Sequence, residues 1–120
     1  MKNILVLDDN DDIRHLVHLM LSVEGYNVYD AEATEAAFEI IRNNHIDLVI
    51  TDLIMPDKDG LQVIIELRRD FPNIKIIAIS AGGRIGPSTY LDMAEKLGAH
   101  RVFNKPFNQN EIVKAVEELI

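Results

Sequence analysis

Four short stretches carry residue types that could do chemistry together: Asp8-Asp9-Asn10, Asp52, Ser80-Ala81 and Lys105-Pro106. Two or three carboxylates gathered in one pocket repel one another unless a cation neutralises them. Hard oxygen ligands with room for water suit Mg2+, and Mn2+ as a substitute. Beside such a metal, a carboxylate can attack phosphorus and form an acyl phosphate. The metal, an ammonium and a hydroxyl would then bind the three equatorial oxygens of the phosphoryl group in transfer. This chemistry needs the four stretches to meet in space, so the elements that carry them decide the matter.

Short apolar runs occur at 3–7 (NILVL), 27–31 (NVYDA), 47–51 (DLVIT), 74–80 (IKIIAIS) and 101–104 (RVFN). The third and fourth are nearly continuous, as strands buried on both faces should be, while NVYDA is mixed and suits an edge. Between the runs lie segments of helical period. Ile13, Leu16, Val17, Met20 and Leu21 form the first, stopped by Gly25. The second opens at Ala33-Thr34-Glu35 and runs toward Asn43-Asn44. Leu61, Ile64, Ile65 and Leu67 mark the third, ended by Phe71-Pro72. The fourth carries Tyr90, Met93, Ala94 and Leu97, has Pro87 just inside its start and stops at Gly98. Ile112, Val113, Val116 and Leu119 mark the fifth.

Five strand–helix units with short connections predict an α/β fold: a flavodoxin-like, doubly wound five-stranded parallel sheet. The expected strand order is 2-1-3-4-5, with five helices completing a three-layer sandwich over residues 1–120 as a single domain. In such sheets the site lies beyond the carboxyl ends of the strands. Each of the four stretches follows a strand, and the first, third, fourth and fifth strands are neighbours in this order. The second strand supplies no obvious member.

Composition narrows the function further. A chain of 120 residues, 48% hydrophobic, suits one core. With no cysteine there is no disulfide, iron–sulfur cluster or thiolate zinc site. The net charge of −8 argues against direct nucleic-acid binding, which usually needs a basic face. No apolar stretch approaches the roughly 20 residues that span a bilayer. The start, MKNILVLDDN, reads as a first strand and not as a signal peptide. The expected location is the cytoplasm, away from membranes.

Asp8-Asp9, the string Asp52-Leu53-Ile54-Met55-Pro56-x-x-Asp59-Gly60, Ser80-Ala81 and Lys105-Pro106-Phe107 together resemble the receiver domain of two-component response regulators. The resemblance covers essentially the whole chain, with every motif in order at a strand end. It implies that Asp52 is the phosphoacceptor. It implies that Asp9 binds Mg2+ directly, that Asp8 helps through water, and that the Ile54 backbone carbonyl is another metal ligand. Lys105 would pair with Asp52 and then with the phosphoryl group, and Ser80 would hydrogen-bond that group and move with the fourth strand. The donor would be a phosphohistidine on a sensor histidine kinase or histidine phosphotransfer protein, docking beside an apolar row of the first helix that includes Leu19 or Met20. A downstream protein target would read the conformational switch, and the domain would be a monomer or weak dimer.

Four features depart from the family pattern. Many receivers place Tyr or Phe three residues before the lysine; here that position is Val102, and the aromatic is Phe103. A rotamer switch by an aromatic at Val102 is therefore not available. The Gly-rich stretch 82–88 reads as a mobile loop that could order on phosphorylation. Ile54 and Gly82 stand where receivers tune access of attacking water, and neither side chain can position one, so slow self-dephosphorylation is expected. Finally, the fifth strand and helix lack the charged set through which winged-helix transcription-factor receivers pair.

The other uses of these residues fare less well. As a calcium loop, the run from Asp8 places Ile13 where glycine is required and Leu19 where glutamate must close the site. Asp11 and Asp12 suit the start of a helix. A haloacid-dehalogenase-type phosphatase needs a second Asp two residues after its nucleophile, and that position is Ile54. A flavodoxin-like cofactor binder needs a phosphate loop after the first strand, where two carboxylates would repel a phosphate. His15 and His18 lack a third ligand, and His45 and His100 form no cluster. What stays open is a degenerate, binding-only receiver, or the excised receiver of a larger transcription factor or hybrid kinase.

Overall fold

The computed structural model describes residues 1–80 and 87–120, and side chains for all of these except 87–90. The strands are β1 (Asn3–Leu7), β2 (Asn27–Ala31), β3 (Leu48–Asp52), β4 (Lys75–Ser80) and β5 (Arg101–Asn104). The helices are α1 (Asp11–Val23), α2 (Thr34–Asn43), α3 (Gly60–Asp70), α4 (Pro87–Leu97) and α5 (Gln109–Leu119). All strand pairs are parallel, in the order β2-β1-β3-β4-β5. The predicted flavodoxin-like, doubly wound fold is the observed one.

Side-chain alternation along the strands divides the core in two. Leu5, Leu7, Val49, Ile76 and Ala78 face α2, α3 and α4, where they meet Ala37, Ile64, Leu67, Leu91 and Ala94. Ile4, Val6, Ile50, Ile77 and Ile79 face α1 and α5, where they meet Val17, Leu21, Ile112 and Val116. Strand β2 is only partly buried, as its mixed composition predicts for an edge.

Some local expectations shift. Strand β3 runs one residue later than 47–51, so Asp52 is its last residue and pairs in register with Ile79. Asp47 stays outside because its carboxylate takes the Asn3 N–H, at 2.8 Å. The buried row of α1 is Arg14, Val17 and Leu21, while Leu16, one of the apolar residues of helical period that mark this helix, is 37% exposed.

Glycine is required at two kinds of place. Gly25 and Gly98 follow α1 and α4 with φ of 99° and 130°, conformations that L side chains rarely adopt. Gly60 opens α3 against the backbone of Leu53; a Cβ there would lie 2.2 Å from the Leu53 carbonyl oxygen. Asp59 caps α3 by accepting the Leu61 N–H at 2.8 Å. Residues 81–86, and with them Ala81, Gly82 and the glycines of the expected loop, lie outside the described residues. Among the described residues, no helix is long and apolar enough to cross a membrane.

Candidate functional site

Parallel strands bring their carboxyl ends to one edge, and β1, β3, β4 and β5 are neighbours there. Asp8 follows β1 and is buried; its Oδ1 accepts the Asn10 N–H at 2.9 Å. Asp52 closes β3, also buried, and its Oδ1 accepts the Ile54 N–H at 3.2 Å. Lys105 follows β5 and reaches both acids, with Nζ 2.8 Å from Asp8 Oδ2 and 3.4 Å from Asp52 Oδ2. The shorter contact is to Asp8, where the family pattern leads one to look first at Asp52. Asp9 is exposed, yet one carboxylate oxygen from each of Asp8, Asp9 and Asp52 lies within 4.8 Å of the others. Ser80, the buried last residue of β4, joins this edge, and its carbonyl accepts the Lys105 N–H at 2.8 Å.

The electrostatics are unbalanced by design of the site. Three carboxylates face one ammonium, leaving two negative charges for a divalent cation to neutralise. Burial pushes the Asp52 carboxyl above the ordinary value of 3.8, and the charge of Asp8 adds to this. The Ile54 N–H and the Lys105 ammonium pull the other way without cancelling it. Burial alone would lower Lys105, but the hydrogen bond to Asp8 and the charges of both acids hold its pKa above the ordinary 10.5. An all-oxygen carboxylate set of this kind fits Mg2+.

Residues 4–117 match the family model of the response regulator receiver domain. This chain is a member of that family. Receiver domains accept a phosphoryl group on aspartate as their general function. Sporulation initiation phosphotransferase F of Bacillus subtilis is 30% identical over 119 residues, covering 99% of this chain and 94% of that protein. The response regulator TrrA of Thermotoga maritima, solved in complex with Mg(2+)-BeF, is 35% identical over 100% of both chains, with a TM-score of 0.86. The transcriptional regulatory protein GlrR of Escherichia coli K12 is 28% identical over 118 residues, 98% of this chain but 26% of that protein. The chain spans about a quarter to a half of the length of several curated relatives that it matches.

Not every residue singled out in this receiver meets the cluster. Val102 pairs in register with Ala78 and packs on the α2–α3–α4 side of the sheet. Phe103 pairs with Ile79 and packs on the α1–α5 side. The aromatic one position later therefore lies on the opposite face from Val102. The Ile54 side chain is 51% exposed beside the cluster. The histidines stand apart: His18 Nδ1 lies 2.6 Å from Asp30 Oδ1, and His45 Nε2 lies 2.9 Å from Asp47 Oδ1.

One supporting residue was missed in the sequence. Arg14 is buried beneath the acidic turn, with Nη1 donating to the Asp8 carbonyl at 2.8 Å and Nη2 to Asp11 Oδ1 at 2.6 Å. The available signal was a charge three residues before Val17 and seven before Leu21, on the row that faces the sheet.

Proposed function

We propose that Asp52 is the phosphoacceptor of this receiver, and that Asp8, Asp9, Asp52 and the Ile54 backbone carbonyl hold Mg2+, or Mn2+ in its place. The observation that carries this reading is the meeting of three carboxylates within 4.8 Å, with the Lys105 ammonium 2.8 Å from one and 3.4 Å from another. When bound, the metal supplies positive charge for the crowded carboxylates and the incoming phosphoryl oxygens.

An Asp52 carboxylate oxygen attacks phosphorus of a phosphohistidine on a sensor kinase or phosphotransfer protein. The new P–O bond forms as the P–N bond breaks, and the imidazole nitrogen leaves with its electron pair. Burial that destabilises the Asp52 anion makes it a better nucleophile. Lys105, already between Asp8 and Asp52, turns one N–H toward a phosphoryl oxygen while Asp8 keeps hold of it. The Ser80 hydroxyl donates to another.

The donor helix docks on the exposed apolar row of α1, formed by Leu16, Leu19 and Val23 and continued by Met20 and Val113. Because Val102 has no ring to rotate, the switch runs from Ser80 through the segment after β4 into α4. An exposed isoleucine side chain at position 54 cannot orient a water, which favours a long-lived phosphoryl group. The output is a protein partner, or an effector domain if this receiver is part of a longer regulator, as it is in the relatives it matches only in part.

The test is intact mass after incubation with Mg2+ and acetyl phosphate. Wild type gains about 80 Da, a single phosphoryl group, and Asp52→Asn gains nothing. An adduct on the Asp52→Asn variant would remove the acceptor assignment. No adduct on wild type, from acetyl phosphate or from a kinase, would favour a binding-only receiver.

A further inference from the structure

Helix α2 begins without a cap of its own. Its N-cap residue is Ala33, which has no side-chain acceptor to offer the first turn. The acceptor comes from 23 residues further along the chain. Asp57 Oδ2 takes the Thr34 N–H at 2.8 Å, and Asp57 Oδ1 takes the Thr34 hydroxyl at 3.3 Å. Its charge also lies at the positive end of the helix dipole.

Asp57 sits in the loop that leaves Asp52. That loop is anchored at its base by Leu53 N–H on the Ile79 carbonyl at 2.8 Å and by a bridge between Ile54 and Asp59. Its tip runs from Pro56 to Lys58. The next residue, Lys58, reaches both flanking helices: its Nζ lies 2.6 Å from Glu66 of α3 and 6.0 Å from the centre of the Phe38 ring of α2. These groups line a cleft of about 510 Å³ between α2 and α3.

We propose that Asp57 is a positioning residue for phosphoryl transfer: by capping α2 it fastens the loop that carries Ile54 beside Asp52. The inference rests on the reading of Asp52 and the Ile54 carbonyl given above. Ile54 donates its N–H to Asp52 Oδ1 at 3.2 Å, and on that reading its carbonyl would be a ligand of the metal. Both move if the loop tip is released. The cap is thus shared between one helix's stability and the site's geometry, and the two roles separate by mutation.

Asp57→Ala removes both. Its Tm falls by about 4 °C, the Ile54 amide exchanges faster in the metal-free protein, and the dissociation constant for Mg2+ rises about tenfold. Asp57→Asn, which keeps an acceptor, stays within about twofold of wild type. Adding Ala33→Ser to Asp57→Ala gives α2 a cap from the side-chain hydroxyl of its own N-cap residue, where the backbone of Ala33 is already extended at φ −142°. That double variant regains the Tm but neither the Mg2+ affinity nor the Ile54 protection. Recovery of all three would make Asp57 a helix cap and nothing more. Unchanged Ile54 exchange in Asp57→Ala would also overturn the proposal. Failure of wild type to bind Mg2+ would instead sink the metal assignment, while Ile54 exchange still decides the clamp.

Discussion

Strand β3 has an aspartate just before it and another at its end, and the fold treats the two in opposite ways. Asp47 has Oδ2 on the Asn3 N–H at 2.8 Å and Oδ1 2.9 Å from His45 Nε2. Burial pushes its carboxyl up, but the Asn3 and His45 hydrogen bonds and the charges of His45 and Lys2 outweigh this and hold it below 3.8. At the far end, burial of Asp52 wins and its carboxyl stands above 3.8. The amino edge of the sheet supplies donors for its acid; the carboxyl edge crowds three acids around one ammonium. One edge is built to close the sheet and the other to receive positive charge from outside.

Removing that ammonium is the harshest way to test the contrast. Lys105→Met keeps the apolar stem and leaves Asp8 and Asp52 buried without a cation. At neutral pH without divalent metal it loses about 3 kcal/mol in urea unfolding. Mg2+ recovers much of the loss, because an ion that binds only the folded state stabilises it by mass action. A Lys105→Met variant as stable as wild type in chelator would mean that the acids are not crowded.

The paired substitutions come next in size and have opposite signs. Asp47→Asn costs about 1.5 kcal/mol, since the Asn3 N–H loses a charged acceptor. Asp52→Asn gains about 1 kcal/mol in the absence of metal, since a charge disfavoured first by burial and then by repulsion from Asp8 goes. Their pH dependence separates them as well. The depressed pKa of Asp47 means its contribution is complete above the unfolded value and fades as pH falls through the lower, folded one. The raised pKa of Asp52 means its penalty is present above the folded value and is relieved as pH falls through it. Urea midpoints of wild type and both variants on an acid series check this; shifts of the same sign would end the comparison.

The acids were legible in the sequence because each follows an apolar run, and period-2 and period-3.6 patterns place strand ends well. The strand order followed from five alternating units. What the sequence hid were contacts that depend on how elements meet. Arg14 was overlooked because the apolar residues of α1 suggest a row through Leu16, whereas the row against the sheet runs through Arg14, Val17 and Leu21. The opposite placement of Val102 and Phe103 follows from strand alternation, but which helices each faces needed the register with β4. Asp57 reads locally as a loop acid; only the approach of α2 makes it a cap.

The smallest effect belongs to a second group at the amino edge. His100 precedes β5, and its own N–H binds the Ile76 carbonyl at 2.8 Å while its Nδ1 accepts the Ile76 N–H at 3.1 Å. That acceptor role requires a lone pair, and protonation would turn it into a clash of donors. Burial lowers the ring's pKa below 6.5, and the charges of Lys75, Arg68 and Arg101 lower it further. The unfolded chain therefore takes up this proton more readily than the folded one. Stability rises with pH through the window below about 6.5 and levels off above it. The matched variant is His100→Gln, whose amide oxygen can still accept the Ile76 N–H but does not titrate. Between about pH 5 and pH 7 its urea midpoint changes less steeply than that of wild type. Equal slopes would assign the acid sensitivity elsewhere and would leave the amino edge satisfied at every pH where the carboxyl edge is not.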